Sequence, residues 1–206
     1  MTQSNVPTAE ILFFDGFDDL DSIAPLEILT AAGFPVRAVG FPGDASTVRS
    51  AHGLTIGVDG AIGDAPGLIV VPGGGWRDES LVGVRALTGG ALPSMLARLH
   101  ERGTVVASVC TGAMLLASAG LLEGRPAVTN RIALEDLARA GADVRADARV
   151  VDDGSVVTCG GPAAGIDLAL RLIERFLGSP AATAAAERLE HKRVGPTLVG
   201  APVRSA

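Results

Sequence analysis

The chain has 206 residues, 48% of them hydrophobic, with 27 Gly and 12 Pro, a size and composition that fit one compact domain with a substantial core rather than two. Its net charge of −6 offers no basic surface to release counterions from phosphate, so nucleic acid and acidic membrane are excluded as expected partners. Tyrosine is absent and Lys192 is the only lysine, which removes a Tyr general acid and confines any Schiff base to the C-terminal part. In chain order, residues 1–8 read as a disordered N-terminus and 9–193 as an α/β domain. Within it, apolar runs predict strands over 10–14, 36–41, 54–58, 68–71 and 104–109. Helical patterns fall over 23–32, 91–102, 111–119 and 132–140, with Gly120 as a C-terminal cap. Residues 148–159 read as a hairpin around Asp153-Gly154, two closing helices cover 163–177 and 180–191, and 194–206 read as a tail. Alternation of strand and helix implies a largely parallel sheet.

Two cysteines, Cys110 and Cys159, do not make a disulfide framework in a chain of this length. The polar start lacks a basic n-region and a long apolar h-region, and no apolar run reaches membrane-spanning length. A cytoplasmic protein with both thiols reduced is therefore expected.

Cys110 stands where the strand over 104–109 stops and a helical pattern starts. At such a junction Thr111-Gly112 permit a sharp turn, and the free N–H groups of the next helix turn positive potential toward the sulfur, favouring thiolate. The competing reading is a small buried hydrophobe, because free cysteine is among the most buried residue types. In an open α/β sheet ligands bind beyond the carboxyl ends of the strands, and four segments meet that condition. They are the acidic stretch 15–21, Pro72-Gly-Gly-Gly-Trp76, Cys110-Thr-Gly, and Cys159-Gly-Gly-Pro162. Their convergence favours the nucleophile.

Stretch 15–21 lacks the spacing and distal Glu of a calcium loop. Asp18 and Asp19 read as a solvated turn, whereas Asp21 sits in an apolar helix entry that turns its carboxyl inward, where burial raises the pKa. Pro72-Gly-Gly-Gly has no phosphate-loop spacing but lets backbone N–H groups approach a reacting centre, as an oxyanion hole does; loop flexibility is the plainer alternative. His52, His100 and His191 are scattered, give no zinc spacing, and read as surface residues.

Together, Leu-Asp-x-x-x-Pro at 20–25, Val-Pro-Gly-Gly at 71–74, Ser-Val-Cys-Thr-Gly at 108–112, Ala-Gly-Leu-Leu-x-Gly-Arg at 119–125 and Ala-Gly-Ile-Asp at 164–167 resemble the ThiJ/PfpI superfamily, and within it the isocyanide hydratases. The resemblance implies a flavodoxin-like three-layer sandwich with a strand-Cys-helix nucleophile elbow, and a homodimer. It implies Cys110 as nucleophile, Asp21 as its acidic partner, and Thr111 as a contact to substrate or water. It further implies backbone donors at Gly74 and Gly75 and a pocket lined by Gly161 and Pro162. Trp76 is placed to wall one side and Arg131 to charge the pocket mouth. No metal and no cofactor are expected, and the substrate is a small molecule. Protease-like relatives carry Cys-His where this chain has Cys-Thr, and many hydratase-like relatives carry Thr-His-Trp where this chain has Thr129-Asn130-Arg131. The implied reaction is hydration of an isocyanide to a formamide. A redox-sensing protein with glyoxalase-like side activity, or a ligand-sensing amidotransferase-like domain, is the alternative.

Overall fold

A computed structural model describes residues 6–41, 46–77 and 82–200. The chain opens with β1 (Ala9–Leu12), α1 (Asp19–Ala31) and β2 (Val36–Gly40), followed by a small hairpin of β3 (Thr47–Arg49) and β4 (Thr55–Gly57). After β5 (Gly60–Ala61) and β6 (Leu68–Val71) come α2 (Val84–Leu87), α3 (Leu92–Glu101) and β7 (Val105–Ser108). A 3-10 turn, Cys110–Gly112, leads into α4 (Ala113–Ser118), then β8 (Pro126–Ala127), α5 (Leu134–Arg139) and β9 (Asp143–Val144). The last elements are β10 (Val150–Asp152), β11 (Val156–Cys159), α6 (Ala164–Leu177), α7 (Ser179–Arg188) and β12 (Thr197–Val199).

Eight strands form one sheet in the order β12-β10-β11-β7-β6-β1-β2-β5. Every pairing is parallel except β10 with β11, the hairpin expected around Asp153-Gly154. Strands β1, β6, β7 and β11 are buried at every position, which is why they are mostly apolar rather than alternating, with Glu10, Ser108 and Thr158 as buried polar exceptions. Each fully buried Leu, Ile or Phe of this core, Phe13, Ile69 and Leu96 among them, contributes about 1.5–3 kcal/mol. The amphipathic α6 presses Leu168, Leu172 and Ile173 into that core.

Several boundaries differ from the sequence reading. Helix α1 begins at Asp19 rather than 23, because Asp18 caps it by accepting from Leu20 N–H at 3.2 Å. The strand expected over 54–58 joins β3 in a separate antiparallel pair and does not enter the main sheet. Residues 197–199, expected within a tail, form β12, because the ladder from Val150 to Asp152 leaves donors and acceptors for a further strand. Of the expected disordered N-terminus, residues 1–5 lie outside the described residues.

Candidate active site

The four loops that follow β1, β6, β7 and β11 meet at the carboxyl end of the parallel strands, with Cys110 between them. Cys110 takes φ 56°, left-handed backbone that costs a non-glycine residue of order 1–3 kcal/mol. Three bonds hold it there. Its N–H donates to Gly160 O at 2.8 Å, its carbonyl accepts from Thr129 Oγ1 at 2.7 Å, and Gly112 N–H donates to Val109 O at 2.9 Å. Gly112 permits the turn because a Cβ there would stand 2.4 Å from Val71 O. The strand therefore ends in an elbow that lifts the sulfur out of the sheet's hydrogen-bond ladder.

Asp21 reaches the same point from the first turn of α1. Pro25, four residues on, has no N–H to give the Asp21 carbonyl, so the first turn of the helix is freed from the regular ladder. The carboxyl is fully buried; Oδ2 accepts from Gly73 N–H at 2.8 Å, and Oδ1 has no hydrogen-bond partner among the described residues. Burial, reinforced by the negative Asp18, pushes this carboxyl up to about 7, against the pull of Gly73 N–H and the Cys110 thiol. Burial and the neighbouring Asp21 push the Cys110 thiol up to about 12, against the donors Asn130 and Thr111 N–H. The two groups thus resist being ionised together.

Gly73 is the point where the loops touch. A Cβ on it would lie 2.6 Å from Thr111 Oγ1, 2.7 Å from Thr111 N and 2.8 Å from Asp21 Oδ2. Gly74, at φ 122°, donates its N–H to Thr111 Oγ1 at 3.0 Å. That donor is satisfied inside the protein, so Thr111 and Gly74 brace each other and the expected free backbone donor at Gly74 is not what the geometry presents. Gly75 carries φ 63° and accepts from Arg85 N–H at 3.3 Å, joining the 72–76 loop to α2. Trp76 donates its indole N–H to Asp136 Oδ2 at 2.8 Å and lies under the Arg85 guanidinium at 5.8 Å. Its polar edge is turned toward α5.

From β11, Gly160 anchors the elbow, and Gly161 leaves room beside Asn130: a Cβ there would stand 3.3 Å from Asn130 Nδ2. Pro162 lies half-buried in the turn into α6 and accepts from Gly165 N–H at 3.0 Å. Arg131 is exposed; it is Asn130 that meets the sulfur, Nδ2 to Sγ 3.1 Å. The sequence carries a hint of this in the Thr129-Asn130-Arg131 triplet, yet nothing in the spacing says which member turns inward.

The histidines stand apart from Cys110, but two are less exposed than the sequence suggests. His100 Nε2 lies 2.8 Å from Ser155 Oγ, with its pKa pushed down by burial and the nearby Arg125. His191 Nε2 lies 2.9 Å from buried Asp167, which also accepts from Arg149 at 2.7 Å. His52 is solvent-facing, as expected, and pairs with Asp19 at 2.6 Å, which raises its pKa. Cys159 is fully buried and unpaired, and burial pushes its thiol well up. Among the described residues no three of His, Cys, Asp and Glu gather as a metal cluster, and no helix is long and apolar enough to cross a membrane.

Comparison with known proteins agrees with the fold and the elbow. The chain is 33% identical to an isonitrile hydratase of Pseudomonas putida over 194 residues, 93% of this chain and 81% of the relative. It is 32% identical to the deglycase TK1284 of Thermococcus kodakarensis over 152 residues, 72% of this chain and 86% of that protein. Among solved structures, a ThiJ/PfpI family protein from Pseudomonas syringae superposes with TM-score 0.79 at 24% identity, covering 95% of this chain and 81% of that one. The DJ-1 superfamily protein STM1931 of Salmonella typhimurium gives 0.78 at 25% identity, covering 91% and 100%. Residues 8–175 match the DJ-1/PfpI family as a whole, and the chain belongs to that family.

Proposed function

We propose that the protein is a cysteine-dependent hydratase that converts an isocyanide to an N-substituted formamide. The observation that carries this reading is the pairing of one sulfur with one buried carboxyl, with no imidazole on the sulfur among the described residues. Isocyanide hydration needs a soft nucleophile and a single group that gives a proton and later takes one back. The 33% identity to an isonitrile hydratase across most of both chains supports it.

In this reading Cys110 thiolate attacks the terminal isocyanide carbon while protonated Asp21 delivers its proton to that carbon, leaving a thioimidate and an Asp21 carboxylate. The carboxylate then takes one proton from water as the hydroxide adds to the thioimidate carbon, and the nitrogen takes the other. The C–S bond breaks, the sulfur leaves as thiolate, and a formamide is released with Asp21 again protonated. Thr111 and the 160–162 loop bound the space in front of the sulfur.

The test incubates purified protein with a panel of isocyanides and with methylglyoxal, following formamide and lactate beside a Cys110→Ser control. Formamide that disappears in the control supports the reading. Lactate without formamide, the outcome the similarity to deglycases would favour, overturns it.

A further inference from the structure

In the singly ionised Asp21–Cys110 pair the remaining proton has two seats, one on the sulfur and one on the carboxyl. Only the second leaves a nucleophile. The hydrogen bonds around the pair are unequal. The sulfur has two donors, the Thr111 N–H and the one side chain, Asn130, whose Nδ2 lies 3.1 Å from Sγ, while the carboxyl receives a single N–H, from Gly73, on Oδ2. Oδ1 is buried and without a partner, an open seat for a proton. The direction of the Asn130 amide is fixed by the chain itself, since its Oδ1 caps the turn Arg131–Ala133 by accepting from Ile132 N–H at 3.1 Å. With the oxygen held there, the NH2 end has to face the sulfur. A flipped amide would lose the cap and set oxygen against sulfur.

We propose that Asn130 is a positioning residue that favours the seat of the shared proton on Asp21, and so the Cys110 thiolate, against the burial that disfavours a charged sulfur, a role that serves the hydratase reading but does not depend on it. A donor to sulfur stabilises S⁻ far more than S–H, because bonds to an ionised partner are about twice as strong as neutral ones. An amide has no proton to lose in the working pH range, so it donates unchanged throughout and never competes as a base. The other groups facing the pair are Asp18, in the turn before α1, and Cys159, from β11; Arg149, which acts on Cys159, is ion-paired to Asp167. None of them donates to the sulfur among the described hydrogen bonds. Gly161 keeps the space the amide occupies.

The test reads the thiolate, not turnover. Iodoacetamide alkylation of Cys110 and the thiolate's ultraviolet absorbance, taken as the difference from Cys110→Ser, are followed against pH in the wild type, Asn130→Ser and Asn130→Asp. Serine and aspartate both keep an N-cap acceptor for Ile132, so the turn is preserved while the side-chain donor to sulfur is lost. The expected result is a fall in alkylation rate near neutral pH of about tenfold to a hundredfold in Asn130→Ser, with the absorbance onset moved to higher pH. Asn130→Asp, which adds a negative charge beside the sulfur, falls further. Wild-type rates and onset in either folded variant overturn the proposal. A shifted onset with no formamide from any variant supports the role of Asn130 and removes the hydratase reading instead.

Discussion

Buried aspartates are treated in two different ways in different regions of this molecule. At the amino end of the parallel strands, Asp152 is 3% exposed and is held by Arg171 at 2.9 Å, by Arg175 at 3.2 Å and by Gly154 N–H at 3.1 Å. Asp167, 3% exposed, is likewise held by Arg149 and His191. Asp21, at the carboxyl end, has one N–H, no cation and one bare oxygen. A buried carboxylate matched by cations ties elements together, whereas Asp21, left without them, is pushed toward holding its proton and can pass it on. The same fold thus uses one residue type as a rivet and as an acid.

The widest separation between the two should come from Asp21→Asn. Asparagine keeps the shape and a bond to Gly73 N–H but carries no transferable proton, so formamide production per folded protein should fall about a hundredfold or more. Asp21→Glu should retain part of the activity. Turnover at the wild-type level in Asp21→Asn would place the proton source elsewhere. The converse change, Asp152→Ala, takes away the carboxylate that Arg171 and Arg175 share, leaving Arg171 with Glu174 and Arg175 with the Gly154 carbonyl, and should cost about 1–3 kcal/mol in a denaturant melt while activity per folded molecule stays unchanged.

A pH series sharpens the contrast further. With its carboxyl pushed up to about 7, Asp21 is neutral in both folded and unfolded chains at low pH and resists ionising only in the folded one. Stability that is present in acid is therefore lost as pH rises toward about 7. Asp21→Asn should match the wild type near about pH 3 and exceed it by about 2–4 kcal/mol near about pH 8, read from paired chemical melts. A gain of equal size at both pH values would mean that the carboxyl does not titrate in that window. The smallest effect concerns the elbow. Cys110→Gly should be about 1 kcal/mol more stable than Cys110→Ala, because glycine takes φ 56° without strain, and both should lack turnover.

Much of this was legible in the sequence. The mostly apolar runs of β1, β6 and β7, interrupted only by Glu10 and Ser108, announce strands buried on both faces, and the Cys-Thr-Gly junction announces the elbow. The inward turn of Asp21 follows from its apolar helix entry. What the sequence could not show depends on contacts between distant segments. Gly74 was readable as a free donor until Thr111, 37 residues away, proved to accept its N–H. Arg131 carried the charge, yet the cap on Ile132 selects Asn130 as the residue that faces the sulfur. His100 and His191 looked like surface residues in helix-end sequences, and only the sheet brings Ser155 and Asp167 to them. Strand β12 had no apolar pattern to reveal it, since all three of its residues are exposed.

Strand β12 bears on how the sheet's edge is protected. β10 lies between β11 and β12 and pairs in parallel with a segment that follows it only after two helices. Residues 197–199 add to an outer edge that the other strands leave open, and none of the pairings that hold the loops around Cys110 involves them. Without β12 and its flanks, the outer edge of β10, from Arg149 N–H to the Asp152 carbonyl, would have no strand to pair with and would offer itself to the same edge of a second copy. His191, bonded to Asp167, sets the closing segment on the path to that edge. β12 therefore shields an edge of the sheet and takes no part in the chemistry proposed at Cys110.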